Sequence, residues 1–564
     1  MTDFKLPITY CKNSNLDKHI TTDLELEESP KLLESVFKPR TTFGKNNLSL
    51  WGQNITTDKL FLKETQKLLK NDIPNLDTED STEIEEVWNK ITLCDQLDDD
   101  NIGFHEKYSY IDWDWLRNYN NNEHFLQVLS IYSMSSPVIS LALPIFFLIF
   151  PFLIIRLRGI EITIGNYISI LKVVFKQHQI GQLFSISSAS WNQRVYIIIS
   201  LIFYVLQIYQ NIRQCIIFYK NMKTIHNDLL IVHKHIKLSI RYMNQFYKIS
   251  SKLSTYNKFN DNMMQHLSYL DKMSNSLKAI TPLNVSLKKI NQIGHVRKCF
   301  YQINYDENFK NALKYSFDFC GYIDNLNGIK QSIKDSVLGK CKFVKKETKF
   351  KDAYFPITES TPIKNSYNLN KQMIITGPNA AGKTTLLKTT LFNIILSQQI
   401  GYGCYKSASL VLFDNIHCYI NIPDTSGRDS LFQAEARRCK DILSLVERNS
   451  NERHFCVFDE LYSGTNPYEA ISSATAYLKY LNKFPNVCFI LTTHFLDLCK
   501  KLDKDKKIIN YHMEITGTQF DFRYTYRLIS GISDIKGGVK VLNDLEYPSE
   551  IIEDTQKTLN SLVI

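Results

Sequence analysis

The most apolar stretches of the chain are two runs in its first half. Residues 137–155 hold 19 positions without a charge and are closed by Arg156 and Arg158. As a helix this run would be about 28 Å long, close to the ~30 Å hydrocarbon core of a bilayer. The second run, residues 195–209, would be about 22 Å long as a helix. The pattern predicts a membrane hairpin over residues 137–209; an interfacial or re-entrant element and a pair of buried core helices are the alternatives.

Helical spacing of apolar residues continues downstream of these runs. Residues 221–281 contain neither Gly nor Pro. Within them an apolar stripe recurs at steps of three and four, formed by Leu229, Val232, Ile236, Ile240, Met243 and Tyr247. This pattern predicts one long helix, or two, packed along one face. The first 96 residues are polar, predict a few helices, and carry no recognisable chemistry.

A strand, a glycine loop and a helix follow one another in the C-terminal part. The β-type run at residues 373–376 leads into GPNAAGKT at residues 377–384, and an apolar helical stretch follows. This is the context that a P-loop requires, because the glycines let several backbone N–H groups and the helix N-terminus point at a phosphate. Lys383 would bring a cation to the β- and γ-phosphates, and Thr384 a hydroxyl to Mg²⁺.

Two further apolar strands end in polar residues. HFCVFDE at residues 454–460 ends in Asp459, suited to Mg²⁺, and in Glu460, placed to polarise the attacking water; a helix N-terminal cap is the alternative. VCFILTTHF carries His494, which could contact a γ-phosphate. Between the first two motifs lies DTSGRDSLFQAEARR, with Ser430 and Glu435, a loop leading into a helix that can offer N–H and hydroxyl groups to a phosphate.

Composition adds little to this picture. The 564 residues leave room for three or four domains, or for two domains and a long helical region. Their 44% hydrophobic content excludes a disordered chain, a collagen and a small disulfide scaffold. The net charge of +10 permits contact with nucleic acid or an anionic membrane without requiring either. The 12 cysteines are scattered without a Cys-x-x-Cys pair, which predicts reduced thiols, and no secretory signal is recognisable. Six lysines between residues 340 and 351 predict a solvated face or a contact with nucleic acid or phospholipid.

Together the C-terminal motifs resemble the ATPase domain of the MutS family, within the ABC-type P-loop ATPases. GPNAAGKTTLLKT is similar to its Walker A segment, SGRDSLFQAEARR to its signature segment, FCVFDELYSGTNPYEA to its Walker B strand and D-loop, and LTTHF to its switch. The resemblance covers about residues 354–555. It implies an α/β C-terminal ABC-type P-loop ATPase domain, joined to an all-α lever-like region with two predicted transmembrane helices.

The domain boundaries expected on this basis divide the chain into five parts. They are a mostly helical region of unknown role (1–96), the start of a lever-like domain (97–136), a membrane hairpin (137–209), a long-helix lever (210–345) and the ATPase domain (346–564).

The resemblance also implies cofactors, partners and site residues. ATP and Mg²⁺ are the expected cofactors, and two ATPase domains would pair head to tail in a homodimer or with a MutS-like partner. The residues expected to contact the nucleotide are Gly377, Pro378, Asn379, Ala380, Ala381, Gly382, Lys383, Thr384 and Thr385, with Ser430 acting in trans. The expected catalytic residues are Glu460, His494 and Lys383, and the expected metal ligands are Thr384 and Asp459.

Departures from the family limit what else it implies. The one free-standing Phe-x-Glu match, at Phe104, lies in the lever-like segment, and little room remains for a mismatch-recognition domain. The expected function is a MutS-like ATPase that couples ATP hydrolysis to DNA binding or remodelling, as in DNA mismatch repair. The alternative is a membrane-anchored mechanochemical ATPase without mismatch recognition; an ABC transporter subunit fits SGRDSLFQ poorly. Either would be intracellular and membrane-associated, with the ATPase domain facing the cytosol.

Overall fold

The computed structural model describes residues 4–27, 30–76, 79–93, 104–159, 163–177, 190–283, 286–357, 361–420, 422, 430–517, 522–533 and 537–561. The chain forms two compact units. Unit 1 consists of Met1–Thr78, Arg241–His266 and Tyr315–Ile564, and unit 2 consists of Glu79–Ile240 and Leu267–Lys314. The predicted division into five parts stays a prediction.

Helices account for most of unit 2 and for the two faces of the main sheet of unit 1. In chain order the α-helices are α1 (Lys18–Asp23), α2 (Lys31–Phe37), α3 (Thr42–Asn46), α4 (Leu48–Trp51), α5 (Lys59–Leu68), α6 (Glu79–Leu93), α7 (Phe104–Lys107), α8 (Glu123–Leu157), α9 (Ile164–Gln177), α10 (Trp191–Ser250), α11 (Asn257–Leu277), α12 (Leu287–Ile290), α13 (Ile293–Tyr305), α14 (Glu307–Lys334), α15 (Lys383–Ile400), α16 (Leu431–Arg448), α17 (Pro467–Leu481), α18 (Leu496–Leu502), α19 (Gly538–Asp544) and α20 (Ser549–Ser561). Short 3₁₀ turns occur at Pro7–Tyr10, Arg117–Asn121 and Ser254–Tyr256.

The described strands form three sheets in unit 1. They are β1 (Asn13–Asn15), β2 (Asn54–Thr56), β3 (Gly339–Phe343), β4 (Lys349–Ala353), β5 (Asn365–Asn368), β6 (Gln372–Thr376), β7 (Tyr402–Gly403), β8 (Ser407–Leu410), β9 (Asn415–Tyr419), β10 (His454–Asp459), β11 (Val487–Thr493), β12 (Ile508–Gly517) and β13 (Phe522–Ser530). The strand orders are β1-β2, β13-β12-β6-β11-β10-β9 and β5-β4-β8-β3-β7. The predicted α/β character of the C-terminal part is therefore confirmed, whereas its ABC-type assignment stays a prediction.

The six-stranded sheet sets the position of the motifs. Its five strands from β12 to β9 are parallel, and β13 is antiparallel at one edge. β6 is buried throughout, and β10 is buried at every residue except Asp459, as is expected of parallel strands whose two faces are both covered. In the register, Thr376 of β6 pairs with Thr493 of β11, and Asp459 of β10 pairs with Thr492. The segments that follow β6, β10 and β11 therefore emerge at the same edge of the sheet.

The polar N-terminal segment packs on the C-terminal part of unit 1. The side-chain amide of Gln66 donates to the backbone oxygen of Gly401 (2.6 Å), and that of Gln398 donates to the backbone oxygen of Thr56 (3.3 Å). Lys388 of α15 donates to the backbone oxygen of Asp23 (3.0 Å). Because these donors and acceptors lie more than 300 positions apart in the chain, no local sequence pattern indicates the contact.

The two apolar runs lie within α8 and α10. These two described helices are long and apolar enough to cross a membrane by length and composition. Their described apolar side chains are largely exposed, including Val138 (66% exposed) and Phe203 (67% exposed). Buried core helices would instead cover such side chains, so their exposure argues against that alternative. The membrane span itself stays a prediction.

The long-helix prediction for residues 221–281 is confirmed in its two-helix form. α10 ends at Ser250 and α11 begins at Asn257. Leu229, Val232, Ile236 and Met243 of the predicted stripe are buried, and Ile240 is half-buried. The prediction that Tyr247 belongs to the buried stripe is wrong. Its side chain is 38% exposed, and the buried residue at this point is Phe246.

The structure also bears on the Phe-x-Glu match at Phe104 and on the state of the cysteines. Phe104 is buried and stacks on Tyr110 at 5.4 Å between ring centroids and on Phe300 at 5.7 Å, so its Phe-x-Glu match is a packing residue in unit 2. The described cysteines are all free thiols, as their scattered spacing predicts.

Candidate nucleotide-binding site

The glycine loop at residues 377–382 connects β6 to α15. Gly382, the N-cap of α15, has a φ of +89°, and a Cβ there would lie 3.0 Å from Cδ1 of Tyr526. A glycine is therefore required for both the backbone conformation and the space. The Lys383 amine is buried and donates to the backbone oxygens of Gly377 (2.9 Å) and Pro378 (3.2 Å). Burial lowers the pKa of Lys383 from its usual value.

The other predicted loop residues hold different positions. Asn379 and Ala380 are exposed at the tip, where the backbone oxygen of Asn379 accepts from the Tyr524 hydroxyl (3.2 Å). Ala381 is buried, and its N–H donates to the Pro378 oxygen (3.3 Å). Thr385 lies in the exposed first turn of α15. The loop thus leaves its tip accessible while its base is anchored.

A hydroxyl and a carboxylate predicted to hold the metal lie in contact. The Thr384 hydroxyl, at the start of α15, donates to Oδ2 of Asp459 at the end of β10 (2.8 Å). The other oxygen of Asp459 accepts from the Thr492 hydroxyl of β11. Three adjacent elements therefore position one carboxylate beside the P-loop, and Thr492 is a positioning residue that the sequence motifs did not single out.

Glu460 lies between the P-loop lysine and the predicted switch histidine. Its Oε1 is 3.5 Å from Nδ1 of His494 and 3.8 Å from Nζ of Lys383. Its backbone has a φ of +53°, and its N–H donates to the Thr492 oxygen (3.0 Å). The hydrogen bond from His494 and the nearby Lys383 ammonium lower the pKa of Glu460, outweighing the opposite effect of burial. Glu460 is therefore a carboxylate at neutral pH.

The predicted signature residues lie on α16. Ser430 is its exposed N-cap and accepts from the N–H of Gln433 (3.3 Å), whose side chain in turn accepts from the Ser430 N–H (3.0 Å). Glu435 is buried, and its carboxylate accepts from the Ser463 hydroxyl (3.0 Å) and the Gly464 N–H (3.1 Å). Glu435 therefore binds the segment after Glu460 within the same chain. Residues 423–429, which precede Ser430, lie outside the described residues.

A cavity of about 250 Å³ adjoins the P-loop. It is lined by aromatic and apolar side chains beside Gly382 and Thr385, notably Tyr354, Phe355 and Tyr526. Aromatic faces of this kind suit a planar base. The sequence motifs did not identify these residues, because they come from segments far apart in the chain.

The residues present fit ATP and Mg²⁺. Positive φ angles at Gly377, Ala380 and Gly382 give the loop its wrapped form. The buried Lys383 amine and the paired Thr384 and Asp459 oxygens provide the cation and the hard oxygen ligands that phosphate and Mg²⁺ prefer.

Comparison with known proteins relates this site to a known family domain. Residues 373–563 match the family model described as MutS domain V. The chain therefore contains a domain similar to MutS domain V. It is similar to DNA mismatch repair protein MutS of Aquifex pyrophilus, with 30% identity over 190 residues, which are 34% of this chain and 22% of that protein.

Other MutS proteins give the same picture. DNA mismatch repair protein MutS of Persephonella marina is 30% identical over 220 residues, covering 38% of this chain and 25% of its own length. DNA mismatch repair protein MutS of Parabacteroides distasonis is 31% identical over 196 residues, which are 34% of this chain and 22% of that protein. The chain thus spans about a quarter of the length of the curated MutS relatives it matches. The family-model match, residues 373–563, includes the glycine loop.

Proposed function

We propose that this chain is a MutS-like ATPase that binds and hydrolyses ATP at the P-loop of unit 1. The observation that carries the proposal is the convergence of Lys383, Glu460 and His494, with the Thr384 and Asp459 pair beside them. The match to MutS domain V supports an ATP-hydrolysing role in general. The proposal extends that role to these residues.

Each side chain has a role that its chemistry supports. The loop N–H groups and Lys383 bind the phosphates, and the cavity beside Tyr526 takes the base. Thr384 and Asp459 would hold Mg²⁺, which would neutralise charge on the phosphate oxygens. Glu460 accepts a hydrogen bond from the attacking water and orients it. His494 lies where its ring can donate to the γ-phosphate while it holds Glu460.

We further propose that the active form is a dimer, a homodimer or a pair with a MutS-like partner. Ser430 supports this proposal, because it is exposed and its hydroxyl accepts a capping hydrogen bond. A hydroxyl that accepts in this way keeps its own proton to donate. Ser430 can therefore contact the γ-phosphate bound by a second subunit.

The first candidate function couples this ATP hydrolysis to DNA binding or remodelling. It is supported by the relatives, which are named as DNA mismatch repair proteins, and by the net charge of +10. Binding that rests on phosphate contacts should weaken steeply with salt.

A second candidate, a membrane-anchored mechanochemical ATPase without mismatch recognition, is favoured by the exposed apolar surface of α8 and α10. Apolar side chains such as Phe203 would contact hydrocarbon in a bilayer, and Arg156, Arg158, Arg194 and Arg213 would lie near its polar boundaries. With two spans, both termini and the ATPase domain would face the cytosol, in an intracellular and membrane-associated protein.

Substitution Glu460→Gln tests the assignment of the active site. We expect ATP binding close to that of the unchanged protein and turnover at least about 100-fold slower, because the amide cannot accept the proton. Nucleotide binding and phosphate release would be measured on the detergent-solubilised chain. Glu447→Gln, on the exposed face of α16, is the matched control. Full turnover in the Glu460→Gln protein would exclude this residue as the base.

The choice between the two candidates is tested by the ATPase rate with DNA and with lipid, across a salt series. Stimulation by DNA that fades as salt rises would support the first proposal. A rate that ignores DNA and rises with lipid vesicles would support the second. The Glu460→Gln protein serves as the baseline in both arms.

A further inference from the structure

A basic cavity lies in unit 1 at the opposite edge of the six-stranded sheet from the P-loop. Its volume is about 570 Å³. The charged residues that line it are all cations: Lys345, Lys346, Lys371, Arg453, Lys506 and Lys507. The lining has six cationic residues and no carboxylate, whereas the whole chain has nearly balanced charges, with 67 Lys and Arg residues and 57 Asp and Glu residues.

The cations come from four separate segments that the fold brings together. Lys345 and Lys346 follow β3, Lys371 precedes β6, Arg453 precedes β10, and the pair 506–507 precedes β12. Three of these segments lead into neighbouring parts of one parallel sheet, so their side chains gather where the strands begin. Lysines adjacent in sequence alone would not produce this arrangement.

The frame beneath the cations is fixed by buried polar side chains. Gln372 is buried, its amide donates to the backbone oxygen of Val487 (2.9 Å), and its oxygen accepts from the Phe489 N–H (2.7 Å). The hydroxyl of buried Thr348 accepts from the Val411 N–H (3.0 Å). Two of the residues that line the cavity are therefore held in place by hydrogen bonds to buried backbone.

Four of the cationic side chains are not paired with a carboxylate of the described residues. Within the part of the chain that the structure describes, Lys345, Lys346, Lys371 and Lys506 form no ion pair, and all four are exposed. By contrast, the Lys507 ammonium donates to a backbone oxygen (3.1 Å), and the Arg453 guanidinium donates to the backbone oxygen of Lys345 (3.4 Å). A concave surface that gathers unpaired like charges concentrates a positive field and attracts anions.

We propose that this cavity binds a small anion that carries several phosphate groups, either free or as the headgroup of a phosphorylated lipid. Its volume falls within the roughly 300–1,000 Å³ typical of small-molecule sites. Cations on several sides favour a ligand with clustered phosphates over a single one. A nucleic-acid duplex is less suited, since it contacts cations spread along a surface at the spacing of its phosphates. The proposal shares no residue with the nucleotide site and stands apart from the proposed function.

Binding of inositol hexakisphosphate to the solubilised full chain, measured by calorimetry in a Lys383→Ala background, tests the proposal. That background separates the cavity from the P-loop, which also attracts phosphates. The cavity variant replaces Lys345, Lys346 and Lys371 by Gln, and the matched control replaces Lys340, Lys342 and Lys351, three exposed lysines of the same basic cluster outside the cavity. We expect the cavity variant to lose at least about tenfold in affinity and the control to lose less than about threefold.

Two further experiments complete the test. One distinguishes a lipid headgroup from a free ligand, and the other uses the unsubstituted chain, so that its result does not depend on the folding of a variant. Vesicles containing phosphatidylinositol bisphosphate, compared with phosphatidylserine vesicles of equal charge, separate the lipid headgroup from the free ligand. Acetylation of the unsubstituted chain should be slowed by inositol hexakisphosphate at Lys345, Lys346, Lys371 and Lys506, and not at Lys340 or Lys342.

Each outcome of these binding experiments either supports or contradicts the proposal. Binding lost only in the cavity variant, with protection of the cavity lysines, supports the proposal in either lipid or free form. No binding, equal loss in both variants, or binding of a DNA duplex through the cavity lysines without binding of inositol hexakisphosphate would overturn it.

Discussion

Removal of the Glu435 carboxylate should loosen the segment that follows Glu460. Glu435 is buried and accepts from the Ser463 hydroxyl and the Gly464 N–H. In Glu435→Ala, the exposed Ser463 hydroxyl can turn to water, but the Gly464 N–H loses a charge-assisted hydrogen bond worth about 1.5–3 kcal/mol. That loss corresponds to about 10- to 150-fold faster local opening, since 1.4 kcal/mol is a factor of ten.

Amide hydrogen exchange on peptides that cover residues 461–466 measures this opening directly, because the Gly464 N–H is itself the donor. Glu435→Gln keeps one acceptor oxygen and should speed exchange by about tenfold or less. Glu447→Ala removes an exposed carboxylate from the same helix and should leave exchange there unchanged. If Glu435→Ala exchanges at the rate of the unsubstituted chain, Glu435 does not hold this segment, and its assignment is refuted.

Three other predictions concern buried or paired charges. The Arg297 guanidinium is fully buried and donates to a serine hydroxyl and two backbone oxygens in unit 2, so Arg297→Ala should cost about 2–4 kcal/mol and lower the thermal midpoint; an unchanged midpoint would contradict this. Burial raises the pKa of Asp17, but a backbone N–H and the Arg438 guanidinium at 3.2 Å outweigh burial and lower it. The pair therefore stabilises the fold above the ordinary Asp pKa and loses this effect as pH falls through the lowered value, so Asp17→Asn should flatten the acid limb of unfolding curves, and an equally steep limb would count against the pair. His494→Ala should raise the pKa of Glu460, because the His494 hydrogen bond is the main cause of its lowering, and the acidic limb of the ATPase pH profile should move to higher pH; a limb that stays in place would show that Glu460 does not control it.

The arrangement of the candidate nucleotide site is largely predictable from sequence because its parts follow buried strands. Parallel strands end at the same edge of a sheet, so residues that follow β6, β10 and β11 are expected to meet. The contacts among Thr384, Asp459, Glu460 and His494 agree with that expectation. Their roles in hydrolysis stay predictions until the variants are measured.

What the sequence left out are contacts between distant segments. Tyr526 reaches the P-loop from β13, and Glu435 holds the Gly464 N–H from α16. The N-terminal segment, predicted to have no recognisable chemistry, contacts α15 through Asp23 and α16 through Asp17. Such contacts depend on tertiary packing, and neither hydrophobic periodicity nor local spacing encodes them.

The two functional candidates make different demands on the surface of α8 and α10. A DNA-binding surface needs cations in rows, whereas a membrane surface needs exposed apolar side chains bounded by cations. The apolar runs of α8 and α10 meet the second demand, with exposed residues such as Val138 and Phe203. The MutS domain V match, residues 373–563, lies wholly in unit 1. The exposed apolar surface of these two helices fits the proposed membrane-anchored candidate, and we expect any DNA contact that the salt series reveals to map to other parts of the chain.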